Sequence, residues 1–173
     1  RRKQYWTPKR MAAASMRGDS SGPVEGVTER DWNSVATEAD AAPAGVPVAQ
    51  HVAAVSHIGR VFYTLNGDDY ACSANVVQSG NGSTVATAAH CMTANGNFAT
   101  NSVFVPSYDH GDAPFGMWPV IGGAITGGYA GDNTDQADDT GFLVVARDDD
   151  GADIASVVGA SPVAFNQPLV REG

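Results

Sequence analysis

The sequence has few of the features that would place the protein in a membrane or on a nucleic acid. Although 43% of its 173 residues are hydrophobic, no apolar run is long enough for a transmembrane helix. Basic residues are scarce beyond the N-terminus, since residues 31–173 hold 16 acidic side chains against Arg60, Arg147 and Arg171. Such an acidic body repels phosphate backbones, so we expect neither nucleic acid nor a membrane as a partner.

Cysteine is equally scarce, and its spacing does not indicate a metal site. The two cysteines, Cys72 and Cys91, form no CxxC motif, and His51, His57 and His110 lack the spacing of metal ligands. We therefore expect no metal and no cofactor. Two cysteines could be free buried thiols, but a glycine-rich strand protein favours one structural disulfide, formed in an oxidising compartment outside the cell.

Helix-period runs are rare as well, whereas turn residues are abundant, with 20 Gly and 9 Pro. Asn66-Gly67 is a strong hairpin signal between two strand-like runs. The spacing of such runs predicts an all-β fold, one six-stranded antiparallel barrel preceded by a short helix and a linker. The six runs are Ile58–Leu65, Tyr70–Val77, Ser83–Ala88, Ser102–Pro106, Met117–Ile125 and Thr140–Arg147.

The N-terminal segment has a different composition from the barrel. Thr7 and Pro8 are a favourable N-cap and first helical residue, so a helix is predicted from Pro8 to Arg17 with Gly18 as its C-terminal cap. From residue 19 to about residue 50 no period is sustained, which indicates a linker.

Two residues have the chemistry and placement of a catalytic pair. His90 follows the run of small residues 83–89 and lies beside Cys91, so a disulfide to Cys72 would hold its loop. A base needs this rigid setting with its outer ring nitrogen free. Asp139 precedes an apolar strand-like run, where its carboxylate could orient an imidazole. The alternative is a solvated acidic loop shared with Asp138 and its neighbours.

The run Thr87-Ala88-Ala89-His90-Cys91, with a cysteine 19 residues earlier and Asp-Thr-Gly-Phe-Leu from Asp139 onward, resembles the N-terminal half of trypsin-like serine peptidases of the chymotrypsin fold. The runs YWTPKRM, IGRVFYTLNGDDYACSA, SVFVPSYDHG and AFNQP look closer to the secreted bacterial branch that is similar to glutamyl endopeptidases. Gly141 departs from the family, which usually has alanine there. This departure leaves Asp138 as an alternative to Asp139.

The resemblance implies two six-stranded barrels with the active site between them, and a secreted zymogen that acts on polypeptides. The first barrel would supply His90 as base and Asp139 as its orienting carboxylate. The second barrel would supply the serine, the oxyanion donors and the specificity pocket. The expected division is a pro-segment helix and linker in residues 1–56, the first barrel in residues 57–153, and the start of the connection between the barrels in residues 154–173.

The serine of the predicted triad still has to be identified. Arg17-Gly18-Asp19-Ser20-Ser21-Gly22-Pro23 resembles the family's nucleophile loop, with Ser21 in place of a glycine. A nucleophile loop has to be held between strands, and no strands are predicted around Ser20. Ser161 lacks a following glycine. We therefore expect Ser20 to be non-catalytic and the nucleophile to lie beyond residue 173.

The resulting prediction is a serine endopeptidase of which this chain carries His90 and Asp139, and which would be inactive without its missing C-terminal barrel. The alternative is a non-catalytic peptidase homologue whose barrel binds a partner.

Overall fold

Strands dominate the part of the chain that the computed structural model describes, residues 2–17, 23–28, 53–94, 96–129 and 138–164. Its three helices are short: α1 Arg2–Tyr5, α2 Pro8–Ala13 and α3 Ile154–Val158. The strands are β1 Ser15–Arg17, β2 Pro23–Thr28, β3 Ile58–Leu65, β4 Asp68–Val76, β5 Thr84–Thr87, β6 Thr93–Ala94, β7 Asn97–Phe98, β8 Thr100–Pro106, β9 Trp118–Ile125 and β10 Gly141–Val145. A 3-10 turn, Ala89–Cys91, follows β5.

Six of these strands close into the barrel that the sequence predicts. Hydrogen-bonded neighbours run in the order β4-β3-β8-β9-β10-β5, and β5 pairs back onto β4. Each of these pairings is antiparallel. Asn66 and Gly67, between β3 and β4, have φ of 53° and 98°, as a two-residue type I′ hairpin requires. The all-β prediction, the barrel and this hairpin are confirmed.

Strand β3 shows why the barrel has two apolar faces. Successive side chains of a strand point to opposite sides, and Val61, Tyr63 and Leu65 enter the core inside the barrel. Phe62 lies between them in sequence and belongs to a second buried cluster, with no exposed surface. A strand that is buried on both sides needs cover outside the barrel as well as within it.

The N-terminal residues supply that cover. Trp6, Met11 and Ala14 are buried against the outer faces of β3, β4 and β8. Thr7 caps α2 as predicted, because its side chain accepts a hydrogen bond of 3.2 Å from the main-chain nitrogen of Arg10. Residues 2–17, which we call the leader from here on, therefore pack on the outside of the barrel as part of its fold.

The predicted helix to Arg17 is wrong in its second half. Helix α2 ends at Ala13, and the chain continues as β1, which pairs in parallel with β4 and antiparallel with β2. Pairing with a strand of the barrel outweighs the helix propensity of these residues. The prediction of no strands around Ser20 is also wrong, since β1 and β2 flank that stretch. Gly18 and Ser20 themselves lie outside the described residues.

Candidate active site

Strand pairing brings His90 and Asp139 together. Gly141, at the start of β10, lies opposite Thr87, at the end of β5, and the two strands are antiparallel. The residues before β10 and after β5 therefore leave the sheet at the same edge. The 3-10 turn then places His90 over Asp139, and both side chains are mostly buried, with 11% and 14% of their surface exposed.

Both oxygens of the Asp139 carboxylate contact His90. The main-chain nitrogen of His90 donates to Oδ1 at 2.8 Å, and Nδ1 of the imidazole lies 2.6 Å from Oδ2. These two contacts fix the position of the ring relative to the carboxylate. A proton on Nδ1 is hydrogen-bonded to Oδ2 of Asp139. This leaves Nε2 as the ring nitrogen that can exchange a proton with another group.

Asp138, the alternative to Asp139, takes a different place. Its main-chain oxygen accepts hydrogen bonds from the nitrogen of Thr140, at 2.6 Å, and from the hydroxyl of Thr126. The Asp138 backbone thus shapes the entry into β10, while the carboxylate on the imidazole belongs to Asp139.

The histidine turn is held by a disulfide between Cys72 and Cys91. Cys72 lies in β4 and Cys91 ends the 3-10 turn, so the bond joins the turn to a neighbouring strand of the barrel. The sulfur atoms and a nitrogen of His90 all lie within 4.8 Å of one another. Because the sulfurs are bonded to each other, neither is available as a thiolate ligand for a metal.

Arg17 is a part of the site that no pattern in the sequence indicates. Its carbonyl oxygen lies 3.3 Å from Nε2 of His90. Its guanidinium donates to the carbonyl oxygens of His90 and, at 3.4 Å, of Thr93. A three-residue strand has no pattern that could have shown this, because its position depends on pairing with β4.

The remaining predicted candidates lie elsewhere. The hydroxyl of Ser161 hydrogen-bonds the side chain of Asn75, with Nδ2 at 3.0 Å. His110 contacts Asp109 in a turn closed by two main-chain hydrogen bonds between Asp109 and Asp112. His51 lies outside the described residues.

Two tyrosines border the site. Burial raises the pKa of Tyr129, and the negative charge of Asp139 raises it further. Burial likewise raises the pKa of Tyr63, which has no exposed surface and whose hydroxyl lies 3.4 Å from the Cys72 sulfur. Because their pKa values are raised, both phenols keep their protons to a higher pH than an exposed tyrosine does.

The buried phenol of Tyr63 predicts a loss of stability in alkali. In the unfolded chain a tyrosine ionises near pH 10, whereas the folded protein keeps the Tyr63 proton above that pH. The folded state then binds more protons, so the free energy of unfolding falls as the pH rises, by up to about 1.4 kcal/mol per pH unit for one proton. We expect a shallower fall in Tyr63→Phe, measured by urea unfolding from about pH 9 to pH 11. Equal slopes in the two proteins would contradict the assignment.

Comparison with solved structures places the fold among known proteases. The protease Anisep from Arthrobacter nicotinovorans is 41% identical, with a TM-score of 0.62 over 66% of this chain and 52% of its own. The thermostable serine protease AL20 from an extremophilic microorganism is 44% identical, with a TM-score of 0.61 over 66% of this chain and 53% of its own. A Glu endopeptidase shares the fold at 15% identity, with a TM-score of 0.50 over 65% and 47%.

The chain thus spans about half the length of the proteases that it matches. No family model and no curated protein matches it.

Proposed function

Because the chain has a chymotrypsin-like barrel and resembles trypsin-like serine proteases in sequence and structure, we propose that it is the histidine- and aspartate-bearing part of a serine endopeptidase. The observation that carries the proposal is the 2.6 Å contact between His90 Nδ1 and Asp139 Oδ2 at the edge of the barrel. A carboxylate that holds an imidazole by one nitrogen leaves the other to act as general base.

In the proposed reaction, His90 Nε2 takes the proton of a serine hydroxyl as that oxygen attacks the carbonyl carbon of a peptide bond. The same nitrogen then gives the proton to the leaving amine, which leaves an acyl-enzyme. In the second half-reaction His90 deprotonates a water molecule as its oxygen attacks the acyl carbon. The proton then goes to the serine oxygen as the ester bond breaks and the acid product leaves. Asp139 keeps the ring in one orientation throughout and stabilises the imidazolium that forms each time Nε2 takes a proton.

The serine and the oxyanion donors are proposed to come from a second barrel that follows this one. The matched proteases are about twice as long as the part that aligns. The proposal assigns no catalytic role to Ser20. The strands β1 and β2 beside that residue make its replacement an informative control.

The substrate class follows from the reaction, and we propose polypeptides cleaved outside the cell. The Cys72–Cys91 disulfide supports an oxidising compartment. Among the described residues, no helix is both long and apolar enough to cross a membrane.

The test begins with the nucleotide sequence after the codon for Gly173. We expect an open frame that encodes a glycine-flanked serine within one further barrel. The protein made from that frame, cut after Arg17 by an immobilised protease and separated from residues 2–17 so that Ser20 is retained, is expected to hydrolyse casein. His90→Ala should lower this activity by at least about a thousandfold, and Ser20→Ala should leave it within a few-fold.

Two outcomes would contradict the proposal. A stop codon directly after Gly173 would favour the non-catalytic homologue that binds a partner. Hydrolysis that persists in His90→Ala would remove His90 from the reaction.

A further inference from the structure

We propose how the leader would keep the expected zymogen inactive: β1 is a strap whose main-chain carbonyl at Arg17 covers Nε2 of His90, and α1 and α2 anchor this strap to the barrel. This inference rests on the proposed function, because an inhibitor has meaning only if His90 is a catalytic base. Its structural content, a strap that blocks Nε2, can be tested without any assay of catalysis.

The block itself is made by the main chain of Arg17. A base must have the hydroxyl that it deprotonates within about 3 Å of its nitrogen. At 3.3 Å from Nε2, the place of that hydroxyl is taken by the carbonyl oxygen of Arg17, which has no proton to give. While β1 stays in place, His90 cannot reach a nucleophile.

The Arg17 side chain holds the block in position. Only 9% of the residue surface is exposed, and the guanidinium donates to the main-chain oxygens of His90 and Thr93. Its carbon Cζ lies 5.8 Å from the centre of the Tyr70 ring, within the range of a cation–π contact. The charge is thus satisfied by main-chain oxygens in and just after the histidine turn and by a ring of β4.

Strand pairing adds a hold that depends on no side chain. Ser15 and Met16 lie opposite Tyr70 and Ala71 in a parallel ladder with β4. Adding a strand to a sheet is a common way of binding an extended peptide, because main-chain hydrogen bonds supply the attraction. The strap therefore binds the barrel as a peptide ligand would.

Residues that precede β1 anchor the strap to the barrel. Trp6 is 1% exposed, its ring centre lies 5.5 Å from that of Phe62, and its indole nitrogen donates to the Asn101 carbonyl at 2.6 Å. Arg10 pairs with Asp69, which also accepts a hydrogen bond of 3.1 Å from the Tyr5 hydroxyl. These contacts lie N-terminal to β1, so a cut after Arg17 would leave the strap attached to its anchor. Activation then requires that the leader dissociate or be digested.

The experiment measures access to Nε2 by reaction of histidine with diethyl pyrocarbonate, followed residue by residue by mass spectrometry. His110 is the internal reference, since 65% of its side chain is exposed. In the wild-type chain we expect His90 to react at least about tenfold more slowly than His110, because reaction must wait for local opening of the strap.

Two variants should loosen the strap from its two ends. Arg17→Met keeps the stem but loses the guanidinium, and Trp6→Ala removes the anchor. Each is expected to raise the reaction rate of His90 by about fivefold or more, because fewer contacts oppose opening. Lys9→Ala, at an exposed position of the same helix as Arg10, is the matched control and should change nothing.

The proposal is overturned if His90 reacts as fast as His110 in the wild-type chain. It is also overturned if neither variant speeds the reaction while both keep the wild-type circular dichroism. If Trp6→Ala does not fold, Arg17→Met decides alone. Since the reagent reports access to a nitrogen, a protein without peptidase activity would still give either result, which separates this inference from the proposed function.

Discussion

Replacing Asp139 by asparagine is expected to lower kcat of the proposed peptidase, made from the longer reading frame and freed of its leader, by about four orders of magnitude. The carboxylate accepts hydrogen bonds from the main-chain nitrogen of His90 and contacts Nδ1 of its ring. An asparagine has nearly the same shape but can present its NH₂ group to Nδ1, which places the ring proton on Nε2. The nitrogen that should accept the serine proton is then already protonated.

Asp138→Asn is the matched control for this effect. It removes one negative charge from the adjacent residue, whose main-chain oxygen shapes the entry into β10. We expect its kcat on a peptide substrate to stay within a few-fold of the wild type. Similar losses in the two variants would show that the general charge of the loop matters and that the specific contact of Asp139 does not.

Removal of the disulfide is expected to give the largest effect on stability. The double variant Cys72→Ala with Cys91→Ala opens a loop with a sequence separation of 19 residues. In the chain-entropy description, closing a loop of this length stabilises the folded protein by about 3 kcal/mol, through the freedom that it removes from the unfolded chain. Urea unfolding of the oxidised wild type and the double variant measures the difference.

Reductant provides the control for this measurement. Dithiothreitol should lower the free energy of unfolding of the wild type towards that of the double variant, and it should leave the double variant unchanged. A protein that holds its stability on complete reduction would show that the bond between β4 and the histidine turn adds nothing to the fold.

The barrel was predictable because its signals are local. Strand β3 begins and ends where the sequence pattern predicts, since a run rich in β-branched and aromatic residues ends at the Asn66-Gly67 turn. The other five runs are displaced by no more than two residues at either end. Strands β6 and β7 have two residues each, which is too short for any periodicity to be seen.

The pairing of His90 with Asp139 was predictable only in part. The resemblance to serine peptidases named both residues, and the apolar run after Asp139 favoured it over Asp138, but the contact itself depends on geometry. Strand register supplies that geometry, because Gly141 lies opposite Thr87 and the Asp139 carboxylate lies against the imidazole. A register shift of one residue turns every side chain of a strand to the other face.

The structure of the leader was likewise predictable only in part. Its helix start at Thr7 and Pro8 was predictable, because capping is a matter of neighbouring residues. Its second half was assigned to helix, yet Ser15, Met16 and Arg17 form a strand. Residues with no decisive preference of their own take the structure of the surface on which they bind, and here that surface is the edge of β4.

Composition and local pattern were thus enough to establish an acidic, strand-rich protein with one barrel and a histidine turn beside a cysteine. They could not show that the N-terminal residues cover the outside of the barrel, or that the carbonyl of Arg17 lies against His90. Turns, caps and strand periods depend on residues close in sequence. The contact between Arg17 and His90 joins residues 73 positions apart, and it exists only because the folded barrel offers β1 a strand with which to pair.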